Sequence, residues 1–278
     1  MIDIEDLSFT YQGTTAPSLQ DITLEVERGE FVILTGLSGC GKTTLCRCLN
    51  GLIPHFYPGE LKGEITVAGL DVRQHQPHQL ARTTGFVFQN PENQLFSLTV
   101  ERDLAFGPEN LGLPRSVTKK RVDEALHALK FDMLRYRAPY ELSGGQQQKV
   151  AIFAVLTMQP DIIVLDEPTS FLDPKSANEI LSIVYALNKD DQKTIILVEH
   201  RLDLASQFAN RVIVMDKGKI VLDGPPRNVY KEKAYLLGIG IPKVTLLFHK
   251  LGKQKHSVRG NPITVEEAYK KIIGHIKP

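Results

Sequence analysis

An α/β fold built on a largely parallel sheet, with an antiparallel patch beside it, is the class this sequence predicts. Three observations carry it. Short, continuously apolar runs recur within 31–35, 84–89, 161–168 and 193–200, each bounded by turn residues, as strands buried on both faces read. Helical segments alternate with them, the pattern of a parallel sheet with crossover helices. Two β-type stretches near the ends, 2–26 and 211–224, have hairpin character instead.

In chain order, IDIEDLSFTY and ITLEV read as the opening strands. The run 31–35 ends in glycines and feeds a helix expected over 41–50. GEITVAG (63–69) reads as a strand and turn, and TGFVFQ (84–89) as a buried strand followed by the polar loop NPENQ. Residues 99–130 look helical, with a break near Gly112 and Pro114. A helix opened by Ser143 is expected over 142–158. DIIVLDEP (161–168) is an apolar strand that ends in acids, 173–188 a helix, and KTIILVEH (193–200) a further strand. RVIVMDKGKIVLDG (211–224) reads as a hairpin turning at Lys217-Gly218. Beyond about residue 235 the pattern weakens, with a basic loop expected over 249–262 and an amphipathic helix over 264–273.

Composition narrows the function. The 278 residues allow one large domain or two smaller ones. With 33 Lys and Arg against 32 Asp and Glu, the chain as a whole is no polyanion binder. Charge is uneven, however: from Lys243 onward eight Lys and Arg face two Glu, a basic tail that reads as a solvated face. No apolar run approaches the roughly 18 residues that span a bilayer. The acidic, strand-like N-terminus is unlike a signal peptide. Cys46 and Cys48, two apart on an expected helix, face different directions, so with Cys40 they read as reduced thiols.

The chemistry begins at GLSGCGKTT. Gly36-x-x-x-x-Gly41-Lys42-Thr43 matches the phosphate-loop pattern, preceded by a buried strand and followed by a helix. Glycines let the backbone of Gly36, Ser38, Gly39, Cys40, Gly41 and Thr44 curl so that N–H groups point at phosphate oxygens. The helix N-terminus adds about half a positive charge. Lys42 reaches the terminal phosphates, and the Thr43 hydroxyl can ligate Mg²⁺. Asp166 and Glu167 end a buried strand; Asp166 is expected on the metal, and Glu167, pointing the other way along the pleat, on the attacking water. A thiol reagent on Cys40 is expected to crowd the β-phosphate and block nucleotide.

A second glycine turn, Leu142-Ser143-Gly144-Gly145-Gln146, opens a helix about a hundred residues later and makes another anion-binding N-terminus. It resembles the signature of ATP-binding-cassette (ABC) ATPases. Further motifs of that family follow in order. Tyr11 stands where the family's adenine-stacking aromatic lies, Gln89 where the Q-loop glutamine is expected, SFLDP (170–174) where the D-loop falls, and His200 where the switch histidine belongs. Phe171 departs from the small residue more usual in the D-loop.

The resemblance implies a P-loop NTPase fold with a RecA-like parallel sheet core, an antiparallel β subdomain and a helical signature subdomain. It covers 1–235, the cassette, and leaves 236–278 as a short C-terminal extension. It implies an ATPase using ATP and Mg²⁺. Glu167, His200 and Gln89 would be catalytic, and Thr43, Gln89 and Asp166 would lie at the metal. In this family Ser143, Gly144, Gly145 and Gln146 cap the ATP of a partner cassette, a second copy or a different chain. Two ATP molecules then hold a head-to-tail pair, with Asp173 of the D-loop facing the partner's switch histidine.

The segment FVFQNPENQLFSLTVERDLAFGPENLGL (86–113), together with VEHRLD (198–203), resembles energy-coupling-factor (ECF) transporter ATPases, importers of vitamins and of cobalt or nickel ions. That implies a peripheral place on the cytoplasmic face of the membrane. A membrane T-component would dock at 90–96, with Glu92 a candidate contact, and a separate S-component would bind the substrate. GNPITVEEAYKK (260–271) resembles the joining region of fused ECF cassettes. Ser143 follows Gln89 by only 54 positions, without heptads, which argues against coiled-coil repair and chromosome ATPases; no nucleic-acid partner is expected. The alternative is a non-transport ABC ATPase with a regulatory or translational role.

Overall fold

A computed structural model describes residues 1–253 and 260–276. Among the described residues, ten strands form two sheets. The first is antiparallel, in the order β2 (Leu19–Val26), β1 (Ile2–Tyr11), β4 (Gly59–Val67), β5 (Leu70–Asp71). The second has six strands, in the order β10 (Lys219–Gly224), β9 (Arg211–Asp216), β3 (Phe31–Gly36), β8 (Thr194–Val198), β7 (Ile162–Asp166), β6 (Thr84–Val87). All its pairs are parallel except β9 with β10. The hairpins expected near the two ends therefore part company: one belongs to the separate sheet, the other finishes an edge of the parallel one.

The continuous apolar runs are explained by burial on both faces of the six-stranded sheet. Val32, Leu34, Val164, Val198 and Met215 share one core with the antiparallel sheet and the helix Lys42–Leu49. Phe31, Ile33, Ile163, Leu165 and Leu197 share a second with the helices Gly144–Leu156 and Pro174–Asp191. Odd and even residues thus go to opposite faces, as strand alternation requires. Each fully buried aliphatic side chain contributes about 1.5–3 kcal/mol. Asp166 continues the parity of Ile162 and Val164, which places its carboxylate on the face of the phosphate-loop helix.

A third core joins the helices Val100–Asn110, Arg115–Leu129 and Gly144–Leu156 through Leu104, Val122, Leu126 and Val150. The expected break near Gly112 and Pro114 separates the first two. Arg135 closes the unit, donating to Glu101 at 2.6 Å and to Asp123. This is the helical subdomain.

Past residue 235 the chain is more regular than the sequence predicts. The expected boundary lies inside the short helix Glu232–Leu236. The helix Lys243–Lys253 occupies the first part of the expected basic loop, whose residues 254–259 lie outside the described ones. The last helix is Val265–Ile276. Ile239 and Ile241 enter the second core, Lys243 N donates to Asp203 at 2.6 Å, and Arg227 donates to Glu267 at 2.6 Å. The described residues past 235 are thereby packed onto the rest of the chain.

Candidate functional site: a phosphate loop and a four-residue polar cluster

The ends of β3, β6, β7 and β8 meet along one edge of the parallel sheet, where open α/β sheets place their ligands. The loop after β3 is the phosphate loop. Gly36 takes φ +148°, and a Cβ there would stand 2.2 Å from Met215 O; Gly41 takes φ +109°, with Ser18 O 2.6 Å from the same imagined atom. Neither position admits a side chain. Ser38 and Gly39 form the exposed tip. Lys42 opens the helix, is 5% exposed, and its ammonium donates to Gly36 O at 2.9 Å and Leu37 O at 3.0 Å.

Cys40 adds a condition to the expectation that a thiol reagent there would block nucleotide. Its thiol is buried, lies 3.9 Å from Lys42 Nζ, and is pushed up in pKa chiefly by burial. It faces the underside of the loop, so a reagent reaches it only if the loop opens. Cys46 and Cys48 are fully buried, and all three cysteines are free thiols.

Tyr11, at the end of β1, is half-buried. Its hydroxyl is 3.2 Å from Thr44 Oγ1 and accepts from Arg47 at 3.1 Å, and Arg47 also lies over the Tyr57 ring at 4.2 Å. The aromatic ring is thus tied to the phosphate-loop helix.

Asp166 is 4% exposed. Burial pushes its carboxyl above the usual range, opposed by a hydrogen bond from Thr43. Its Oδ1 is buried and has no hydrogen-bond partner. A buried oxygen anion of this kind beside a threonine hydroxyl is the donor set a hard cation such as Mg²⁺ takes.

Glu167 departs from the expected reason for its direction. The strand ends at Asp166, and Glu167 follows in a left-handed conformation, φ +49°, with its N–H donating to Val198 O at 3.0 Å. A local turn, not pleat alternation, aims the carboxylate. It gathers three donors: His200 Nε2 at 3.1 Å on Oε1, and Gln89 Nε2 at 3.0 Å and Ser170 Oγ at 3.1 Å on Oε2. The His200 hydrogen bond is the main cause holding its carboxyl below the ordinary range.

The structure therefore brings together Gln89, Glu167 and His200, which lie 78 and 33 residues from one another along the chain. Sequence reasoning passed over Ser170, three residues after Glu167, and Gln94. Gln94 accepts from Phe88 N at 3.1 Å and donates to Ala151 O at 2.8 Å, joining the loop after β6 to the helix Gly144–Leu156.

Ser143 caps that helix in a reciprocal box: its Oγ accepts from Gln146 N at 3.3 Å, and Gln146 Oε1 accepts from Ser143 N at 2.9 Å. Gln146 is thus committed to the cap, while Gly144 leaves the turn open. Among the described residues, no hydrogen bond joins this turn to the phosphate loop of the same chain. Asp173 caps the helix Pro174–Asp191, accepting from Lys175 N, Ser176 N and Ser176 Oγ; the Ser176 hydroxyl is the main cause that lowers its pKa.

A phosphate-loop ATPase is the class that fold and site define. The ABC transporter family model matches residues 19–170, and the chain belongs to that family. It is 39% identical over 282 aligned residues to the energy-coupling factor transporter ATP-binding protein EcfA2 of Clostridium tetani, covering 98% of this chain and 96% of that one. A Methanosarcina mazei protein named an ABC transporter ATP-binding protein is 46% identical over 255 residues, 91% of this chain but 43% of that one. The chain spans less than half the length of the first curated relatives it matches.

Among solved structures, cbiO1 of Clostridium perfringens, part of the ABC transporter complex cbiONQ, superposes with a TM-score of 0.74 at 33% identity, covering 91% of this chain and 98% of that one. The dimeric cassette MJ0796 bound to ADP and Pi superposes with a TM-score of 0.71 at 27% identity, covering 81% and 98%. The expected ABC ATPase fold is the architecture observed.

Proposed function

We propose that the chain is the ATP-hydrolysing cassette of an ECF-type importer of a vitamin or a transition-metal ion such as cobalt or nickel. It would act as one of a pair of cassettes on the cytoplasmic face of the membrane. The observation that carries the hydrolytic part is the convergence of Glu167, His200, Gln89 and Ser170 beside Asp166 and the phosphate loop.

The roles follow from the atoms. The Lys42 ammonium would exchange the loop carbonyls for terminal phosphate oxygens. Thr43, Asp166 and Gln89 would hold Mg²⁺, which when bound neutralises charge on the phosphates. Glu167, kept ionised by its donors, would accept a hydrogen bond from water and draw off its proton. His200 holds the Glu167 carboxylate and would turn its other contacts to the γ-phosphate. Tyr11 would stack on the base. Ser143, Gly144 and Gly145 would offer their helix N-terminus to the nucleotide of the second cassette.

The importer part rests on the similarity to EcfA2 and cbiO1 and on a surface beside the Q-loop. A groove of about 400 Å³ is lined by Phe88, Leu95, Phe96, Phe106, Leu111 and Met158. Phe96 and Phe106 meet edge to face at 4.7 Å while 66% and 47% exposed. An amphipathic coupling helix of a T-component fits such a surface, and Gln94 offers the route from it to the signature helix. Substrate choice would rest with an S-component that this chain meets only through the membrane partner.

Glu167→Gln tests the hydrolytic reading. The variant should bind ATP as the wild type does, lose turnover by about 100-fold or more, and accumulate as an ATP-held pair. Turnover at the wild-type rate would remove Glu167 from the reaction.

A further inference from the structure

We propose that Glu199 is a positioning residue for hydrolysis, holding the His200 turn and the 169–172 turn as one body so that His200 stays on Glu167. This rests on the reading of Glu167 and His200 given above. Glu199 is 1% exposed, an unusual place for a carboxylate unless donors surround it. Three do. Its Oε1 accepts from His200 N at 2.8 Å and Arg201 N at 2.9 Å, and its Oε2 accepts from the fully buried Thr169 hydroxyl.

Among the described residues, no other hydrogen bond holds those two backbone amides. β8 ends at Val198, the following short helix begins at Leu202, and its cap residue Arg201 makes no side-chain cap bond. The turn that presents the His200 ring is therefore organised by the side chain of the preceding residue. The other end of the link is equally firm. Thr169 precedes Ser170, which touches Glu167, and Arg201 Nη1 donates to Thr169 O at 3.2 Å and Leu172 O at 2.9 Å. Glu199 N donates to Leu34 O at 3.3 Å, fastening the assembly to β3.

Two turns that each supply a group to Glu167 are thus joined behind it by one buried carboxylate. Phe171, 72% exposed, sits within the 169–172 turn. Pressure on that exposed surface would reach His200 through Thr169 and Glu199. Glu199 touches no reacting atom; it acts through His200.

Glu199→Met fills similar space but accepts no hydrogen bond, leaving the Thr169 hydroxyl and two backbone amides without their acceptor, so some loss of stability is expected and melting is followed alongside. We expect ATP affinity within about twofold of wild type and a kcat lower by about 10- to 100-fold, the cost of a small misplacement. Glu199→Gln keeps an oxygen for both amides and should restore kcat to within about threefold. In a His200→Ala background, Glu199→Met should change kcat by less than about twofold, because its effect is already spent.

Wild-type kcat in Glu199→Met, or the same fractional loss in both backgrounds, overturns the proposal. Should Glu199→Met fail to melt cooperatively, Glu199→Ser, small enough to admit water, carries the same cycle. His200→Ala and Glu167→Gln are measured alongside. If those two keep wild-type turnover, the site reading falls and the positioning role with it. If they lose turnover and Glu199→Met does not, the positioning role alone is wrong.

Discussion

Asp166 shows what the site costs the fold. A carboxylate with 4% exposure and one oxygen without a donor is destabilising until a cation or proton compensates it. Asp166→Asn should therefore raise the melting temperature of the nucleotide-free chain by about 2–4 °C, about 1 kcal/mol in a domain of this size, while weakening the Mg²⁺ dependence of ATP binding. Because burial raises the folded-state pKa, the penalty is full above that pKa and fades as pH falls towards the unfolded value. The gain from Asn should shrink in acid accordingly. A lower melting temperature at neutral pH would contradict this account. The two acids were readable as adjacent residues at a strand end. The direction of Glu167 was not, because a left-handed turn at φ +49° replaces the pleat. Ser170 was legible only as a neighbour three residues on, and Glu199 not at all, since a lone acid after an apolar strand reads as solvated.

At the scale of elements, the buried strands were plain because two-sided burial leaves continuous apolar runs, and the phosphate-loop helix because glycine and lysine announce it. The helix Lys243–Lys253 was hidden by its basic residues. Its inward face is short, with Phe248 and the fully buried Thr245, so a period is hard to see. The pairing of distant strands into two separate sheets was also illegible, since hairpin spacing does not say which sheet a hairpin joins. The surface beside the Q-loop yields a prediction of its own. Phe96→Ala removes an exposed ring, so stability should move by less than about 0.5 kcal/mol and the ATPase rate of the cassette should hold. Recovery of small integral membrane proteins with the tagged chain should fall sharply. Undiminished recovery would place the coupling surface elsewhere, and recovery with ribosomes instead would favour a non-transport role.

The whole molecule brings two glycine turns to helix N-termini, and only one of them lies at the phosphate loop of its own chain. The signature turn is capped by Ser143 and Gln146, with Gly145 beside the D-loop Leu172. On the proposed reading, this N-terminus would meet the nucleotide of a second cassette; the similar MJ0796 cassette is dimeric with ADP and Pi bound. No helix among the described residues is long and apolar enough to cross a membrane. The central claim is that hydrolysis needs two cassettes around each ATP. The measurement that meets it most directly is turnover per chain against protein concentration, with the mass in solution followed in parallel. The account predicts that turnover disappears on dilution to a monomer of about 31 kDa. Brisk turnover that stays constant in a strictly monomeric solution would contradict it.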